Sequence, residues 1–276
     1  MRAQLWGTRG SLARSGPATI RYGGDTACVA VQSSTGDQLI LDAGSGILAL
    51  GESLTDPPAR IDILLSHLHM DHIQGLGFFT PLYSPDVMVH IWGPASATED
   101  LRTRLSRYMS PPLFPVRLRD LEAVELHDLP RGELEIGSIK IKTDSVSHPG
   151  HTYGFRLEEN GGVLAYMPDH ELGLGAAGFP GDPQWTSGYC LAEGADLLIH
   201  DAQYTDEEYA ERIGWGHSTF DQAVQFAEMA QVGKMVTFHH DPSHSDAFLD
   251  SVTASLHSAS VELAGGMVGA QFEIGA

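Results

Sequence analysis

The chain has 276 residues, 42% apolar and 19% charged, an ordinary globular balance that excludes a wholly disordered or fibrous polypeptide. Sixteen lysines and arginines against 36 aspartates and glutamates leave a formal net charge of −20. Such a surface repels a polyphosphate, which argues against an extended nucleic-acid groove but leaves room for a small anion at a metal centre. In chain order, residues 27–32 and 38–41 read as short strands separated by the turn-forming Ser33-Ser34-Thr35-Gly36-Asp37. Residues 61–65 form a compact, β-branched-rich strand that runs directly into a histidine cluster, and 87–92 is a further strand. A helix is expected over 99–108. The proline-rich run 110–115 cannot be helical and is expected to form a loop or lid near the site. Strands over 136–146, 162–166 and 195–199 follow, then a helix over 206–212. A second helix is expected over 219–230, with Phe220, Val224, Ala227 and Met229 near one face and Ser218 or Thr219 as its cap. A last strand covers 234–238.

Strands interleaved with helices imply a layered α/β architecture. No linker, charge block or repeat divides the sequence, so residues 1–276 read as a single domain. Cys28 and Cys190 lack CxxC spacing; they make no disulfide scaffold and read as two buried thiols. The opening residues lack a signal-peptide core and no apolar run is long enough to span a bilayer. The expectation is therefore a cytoplasmic protein with no membrane partner.

Fourteen histidines are many for so lightly charged a chain. The informative string is His67-Leu68-His69-Met70-Asp71-His72, four metal-ligand types within six residues, directly after a strand. Imidazole and carboxylate suit zinc-like ions, and this spacing lets one loop feed two adjacent ions. Further acceptors recur at the ends of other apolar runs: His148 and His151, Asp169 and His170, His200 and Asp201, His239 and His240. Open α/β sheets gather ligands just beyond their strand ends, so five segments are expected to converge on one place. The isolated His90, His127 and His257 are read as surface or satisfied core residues.

These residues resemble the metallo-β-lactamase superfamily, and within it the phosphodiesterase and ribonuclease Z-like branch. The resemblance begins with Leu5-Trp6-Gly7-Thr8-Arg9-Gly10, Gly23-Gly24-Asp25-Thr26 and Leu41-Asp42-Ala43-Gly44-Ser45-Gly46. It continues through His67 to His72, Ile91-Trp92-Gly93-Pro94, His148 with Tyr153-Gly154-Phe155, and Asp169. It closes with His200-Asp201-Ala202, Gly216-His217-Ser218-Thr219 and His239. It implies an αββα sandwich, two mixed sheets with helices on the outer faces. It also implies a dinuclear site for two divalent ions, zinc by default with manganese or iron using the same ligands. His67, His69 and His148 would hold one ion and Asp71, His72 and His239 the other, with Asp169 bridging. His148 is preferred to His151 because it stands six residues before Gly154. His239 is preferred to His240, which strand alternation would turn the other way. Asp42 would orient a ligand histidine from beneath. No role is assigned to His151, His240 or His244.

The activity implied is metal-dependent hydrolysis of a small phosphodiester, with a cyclic nucleotide as the expected substrate. Asp71, His217 and Asp201 would carry the chemistry, His217 as general acid and Asp201 as the carboxylate that orients it. Trp92, Tyr153, Trp185 and Trp215 are candidates to stack on a base. The extended basic and glycine-rich arm of ribonuclease Z has no counterpart here. Arg102, Arg104, Arg107, Arg117 and Arg119 form the one local basic cluster. Two further readings stand beside this one: a ribonuclease Z-like RNA endonuclease, and a metal-holding carrier without turnover. A homodimer is also expected from the resemblance.

Overall fold

A computed structural model describes residues 1–174 and 179–275. Its strands are β1 (Arg2–Gly7), β2 (Cys28–Gln32), β3 (Gln38–Leu41), β4 (Arg60–Leu64), β5 (Met88–Pro94), β6 (Val124–Leu129) and β7 (Gly132–Ile136). There follow β8 (Ile139–Ser145), β9 (Tyr153–Glu159), β10 (Gly162–Met167), β11 (Leu197–Asp201), β12 (Lys234–Phe238), β13 (Glu262–Gly265) and β14 (Gln271–Glu273). The helices are α1 (Ile47–Ser53), α2 (Met70–Ile73), α3 (Leu101–Leu105), α4 (Tyr189–Ala192), α5 (Asp206–Tyr209), α6 (Phe220–Met229) and α7 (Asp246–Ser255).

Two seven-stranded mixed sheets form, ordered β14-β1-β2-β3-β4-β5-β6 and β13-β12-β11-β10-β9-β8-β7. Each joins an antiparallel part to four parallel strands, β3 to β6 in the first and β10 to β13 in the second. The sheets pack face to face. Leu5, Val29, Leu39 and Leu64 of one meet Phe155, Leu164, Tyr166 and Phe238 of the other in a shared apolar layer. A second layer lies between the first sheet and α1 and α3, with Ile47, Leu50, Leu101 and Leu105 against Ile61, Ile63 and Val89. A third lies under α4, α6 and α7, with Leu191, Phe226 and Leu249 beside Ala165, Leu198 and Met235. The fold is thus an αββα sandwich. Strands covered on both faces, such as Leu197-Leu198-Ile199, read as unbroken apolar runs for that reason.

The sequence reading does not name β1, β6, β9, β13 or β14, nor α1, α2, α4 or α7; among the elements it does name, the differences are local. The expected strand over 136–146 is two strands, β7 and β8, because Gly137 (φ +56) and Ser138 turn the chain into a hairpin. The helix expected over 99–108 is only α3, capped by the Asp100 side chain on Thr103 N, and the one over 206–212 shortens to α5. Thr219, rather than Ser218, caps α6 in a capping box with Gln222. The 110–115 run is non-helical, with Leu113 exposed and Phe114 buried. Cys28 is buried, but Cys190 is exposed, with its thiol directed at Asp144. No helix among the described residues is long and apolar enough to cross a membrane.

At the end of the sandwich opposite His67, Glu159 locks the sheets together. It accepts from Ser34 N at 2.9 Å, Ser34 Oγ at 2.9 Å and Ser138 Oγ, and lies 3.3 Å from the Met1 amine. Burial pulls its carboxyl up, but these donors outweigh burial and hold it below the ordinary 4.5. A depressed carboxyl contributes stability that is present above its unfolded value and lost as pH falls through the folded one. Glu159→Gln should therefore lower stability at pH 7, and the gap to the native chain should narrow as pH drops below about 5. Denaturant melts at matched pH measure it, and a gap independent of pH would contradict the assignment.

Candidate metal centre

The putting together of the centre follows from strand direction. Chain ends at one edge of both sheets deliver Asp42 after β3, residues 66–72 after β4, His148 after β8, Asp169 after β10, Asp201 at the end of β11 and His239 after β12. Within the histidine string the backbone changes conformation. His69 is extended (φ −66, ψ 152), and the next four residues form the single helical turn α2, which carries Asp71 and His72. The string is thereby divided between two groups of donors.

His67, His69, His148 and Asp169 form the first group. Asp169 Oδ2 lies 3.6 Å from His67 Nε2 and 3.5 Å from His148 Nε2, and His148 Nε2 lies 3.2 Å from His69 Nδ1. Asp71, His72 and His239 form the second. Here His72 Nε2 lies 3.3 Å from His239 Nε2 and 3.3 Å from Asp71 Oδ2, and His239 Nε2 is 3.1 Å from Asp71 Oδ2. The other oxygen of Asp169, Oδ1, faces this second group, 3.0 Å from His72 Nε2 and 3.3 Å from His239 Nε2. One carboxylate thus faces both groups. Donors at about 2.1 Å from a tetrahedral ion stand about 3.4 Å from one another, so these spacings fit zinc-class ions. His67 Nε2, moreover, is buried with no hydrogen-bond partner.

The far side of the rings is held just as closely. His67 Nδ1 meets Ser66 Oγ at 3.0 Å, His72 Nδ1 meets Asp42 Oδ2 at 2.8 Å and His239 Nδ1 meets Gln203 Oε1 at 2.7 Å. His148 Nδ1 donates to Gly216 O at 2.8 Å. Such outer partners fix which nitrogen faces inward. Asp42 is itself pinned by Ser66 N, Ser66 Oγ and Tyr166 Oη. Burial holds His67 well below the ordinary histidine value and lowers His148 to about 4, so both are neutral and free to donate a lone pair. Burial would push the Asp169 and Asp71 carboxyls up, yet the surrounding imidazoles keep both well down and ionised.

His217 lies beside both groups, its ring stacked on His239 with centroids 4.8 Å apart. Its Nδ1 is 2.8 Å from Asp201 Oδ2. Burial would lower it, but Asp201, followed by Asp169 and Asp71, raises it to about 9. Asp201 also accepts from His170 N and Gln203 N, which fixes the carboxylate under the ring.

All nine residues singled out from the sequence meet here. Others do not. His170 and His200 bond to each other at 3.0 Å beneath Phe226, and His244 pairs with Glu208. His151 is exposed and bonded to Ala95 O. His240 turns away to Gly266 O, though not by strand alternation: β12 ends at Phe238, and His239 takes φ +59. Of the four aromatics, Tyr153 is buried and Trp92 is stacked on His127, whereas Trp185 and Trp215 are exposed. Sequence reasoning missed Gln203 and Glu171. Glu171 pins Gly214 N, Gly216 N and Tyr209 Oη, and so sets the loop before His217. An acid directly after Asp169-His170 was the available signal. A cavity of about 400 Å³ opens beside His67 and His69, lined by Arg104, Arg107, Tyr108, Leu113 and His151 among others.

This fold and its paired donor groups define a class. The chain belongs to the metallo-β-lactamase superfamily: the family model described as a beta-lactamase superfamily domain matches residues 38–240. It is similar to ribonuclease Z of Gemmatimonas aurantiaca, 27% identical over 256 residues that cover 76% of this chain and 78% of that protein. Among solved structures it resembles the metallo-β-lactamase fold protein YhfI of Bacillus subtilis, with a TM-score of 0.70, 18% identity and 99% of each chain covered. It also resembles a diphosphatase of the PhnP family, with a TM-score of 0.69, 20% identity, and 99% of this chain and 97% of that one covered.

Two glycines separate the donor groups experimentally. A Cβ at Gly10 would meet the His239 ring at 2.2 Å, and one at Gly216 (φ +96) would meet the His148 ring at 2.2 Å. In zinc-reloaded protein, Gly10→Ala should weaken retention in the Asp71-His72-His239 group and Gly216→Ala in the group containing His148. Each variant should fall by about one ion per chain in elemental analysis after mild chelation. Unchanged content in both would contradict the donor assignment.

Proposed function

We propose that this protein is a dinuclear metal-dependent hydrolase of small phosphodiesters, with a cyclic nucleotide as the substrate class. His67, His69 and His148 would hold one divalent ion and Asp71, His72 and His239 the other, with Asp169, which faces both groups, shared between them. When bound, the two ions supply Lewis-acid charge and an acidified water. The observation that carries the reading is the His217–Asp201 pair set beside that donor array. A hydrolase of alkyl phosphodiesters must protonate a poor leaving group, and a carboxylate-supported imidazolium is suited to it. Asp201 holds the Nδ1 proton of His217, leaving Nε2–H as the proton to deliver to the departing oxygen. Asp71 is fixed for its part by Ser11 N, which donates to its Oδ2 at 2.7 Å.

Substrate size follows from charge and from the cavity. Arg107 is tied to Glu99 and Arg104 to Pro94 O, so the two cations at the cavity are positioned rather than free to sweep a long backbone. The remaining surface is strongly acidic. A compact monoanion reaches the site while avoiding most of that surface, whereas a polyanion must cross it. The 27% identity to a ribonuclease Z favours a second reading, cleavage of a precursor tRNA.

His217→Ala should keep its metal and lose about 10²- to 10⁴-fold in turnover of a substrate with an alkoxide leaving group. The loss should be much smaller for bis-p-nitrophenyl phosphate, whose leaving group departs without a proton. Equal losses on both substrates would remove His217 from the acid role. At near-physiological salt, kcat/KM for a cyclic nucleotide should exceed that for a precursor tRNA. Site-specific tRNA cleavage without small-diester turnover would install the second reading.

A further inference from the structure

Away from this centre, His90, Glu125 and His127 form a third group of donors. They sit on the parallel pair β5–β6, where His90 is in register with Glu125 and Trp92 with His127. Alternation puts Glu125 and His127, two residues apart, on the face that also carries His90 and Trp92. Three donor atoms converge there. His90 Nδ1 is 2.8 Å from His127 Nε2, and Glu125 Oε2 is 3.5 Å from the first and 3.8 Å from the second. These separations bracket the roughly 3.4 Å between donors around a tetrahedral ion. The rings are oriented from behind. His127 stacks on Trp92 with centroids 4.1 Å apart, and Trp92 Nε1 donates to Asp62 Oδ1, which Arg60 holds in turn. His127 is held below the ordinary histidine value by burial and by His90, so the ring is neutral at pH 7; its Nε2 shares a hydrogen bond with His90 Nδ1 that an ion would displace.

We infer that His90, Glu125 and His127 form an additional, three-ligand site for a zinc-class divalent cation, separate from the dinuclear centre. Two imidazoles and one carboxylate are the donors such an ion takes, with water completing the tetrahedron at the exposed side. The site's place suggests its use. β5 and β6 flank the segment 95–123, which supplies Arg104, Arg107 and Tyr108 to the cavity, and Arg104 lies 3.8 Å from Asp128 on β6. A cation shared by β5 and β6 clips the edge strand to its neighbour at the base of that segment. It is a structural clip, remote from the reacting atoms.

The test is a difference in stoichiometry, so it holds whether or not the dinuclear reading does. After zinc reloading, the native protein should contain one more zinc per chain than either His127→Ala or the surface variant Glu125→Gln. Both variants should hydrolyse bis-p-nitrophenyl phosphate at the native rate. Ni²⁺ should quench native tryptophan emission in a step that is absent from Trp92→Phe and from His127→Ala. Equal zinc content in the native protein and both variants, or quenching that survives in Trp92→Phe, overturns the site.

Discussion

A buried carboxylate is tolerable only when its neighbours supply hydrogen bonds or positive charge, and at Asp169 both oxygens face imidazole nitrogens. Its ionised state is what the arrangement around it rests on. Take the charge away and His67, His148, His72 and His239 would be polar rings crowded into an apolar interior with nothing to balance them. The histidines in turn are too close to one another to be stable as cations together. Burial keeps His67, His69 and His148 below the ordinary histidine value, whereas at His72 the carboxylates Asp169, Asp71 and Asp42 outweigh burial and raise it. Neutral imidazoles about ionised carboxylates are the donors a zinc-class ion takes.

Holding that array demands rigidity beyond it, and the fold provides it through fixed partners. Asp42, Ser66, Gln203 and the carbonyl of Gly216 each grip the outer nitrogen of one ring. Arg9, fully buried, reaches the carbonyls of Gly23, Asp241 and His244, tying the loop after β1 to the loop that follows His239. A guanidinium in the interior is expensive unless it is paired and hydrogen-bonded; here Nε and Nη1 make those bonds, and Nη2 has only the Asp246 carboxylate, 4.0 Å away. Its hydrogen bonds lie at one remove from the donors, yet they determine where His239 stands.

How much of this was legible in the sequence depends on the range of the interaction. The donors could be read because His67 to His72 are contiguous and the others sit at the ends of apolar runs. Both signals survive in one dimension. The short strands β13 and β14 carry too few residues for periodicity, and the β7–β8 hairpin is hard to read because Gly137-Ser138 is the only break between two short runs that both alternate apolar with charged residues. Gln203 and Glu171 act through contacts 36 and 45 residues away. Nothing local marks Gln203, and the only local mark of Glu171 is its place directly after Asp169-His170. His90 and His127 read as isolated for the same reason: they are 37 residues apart and meet only when β5 pairs with β6.

Each donor group draws from both sheets: His67 and His69 come from the first, His148 and Asp169 from the second, and Asp71 and His72 from the first face His239 from the second. The centre therefore measures the alignment of the two sheets, as a vernier measures the offset of two scales. A slide of one sheet across the other by half an ångström leaves every strand and its hydrogen bonds intact, but it stretches one set of donor spacings and compresses another. Replacements in the layer between the sheets, at Phe155 or Phe238 for instance, would therefore disturb the donor spacings as well as the packing. Ions held by both groups would in turn clamp the sheets at a single offset.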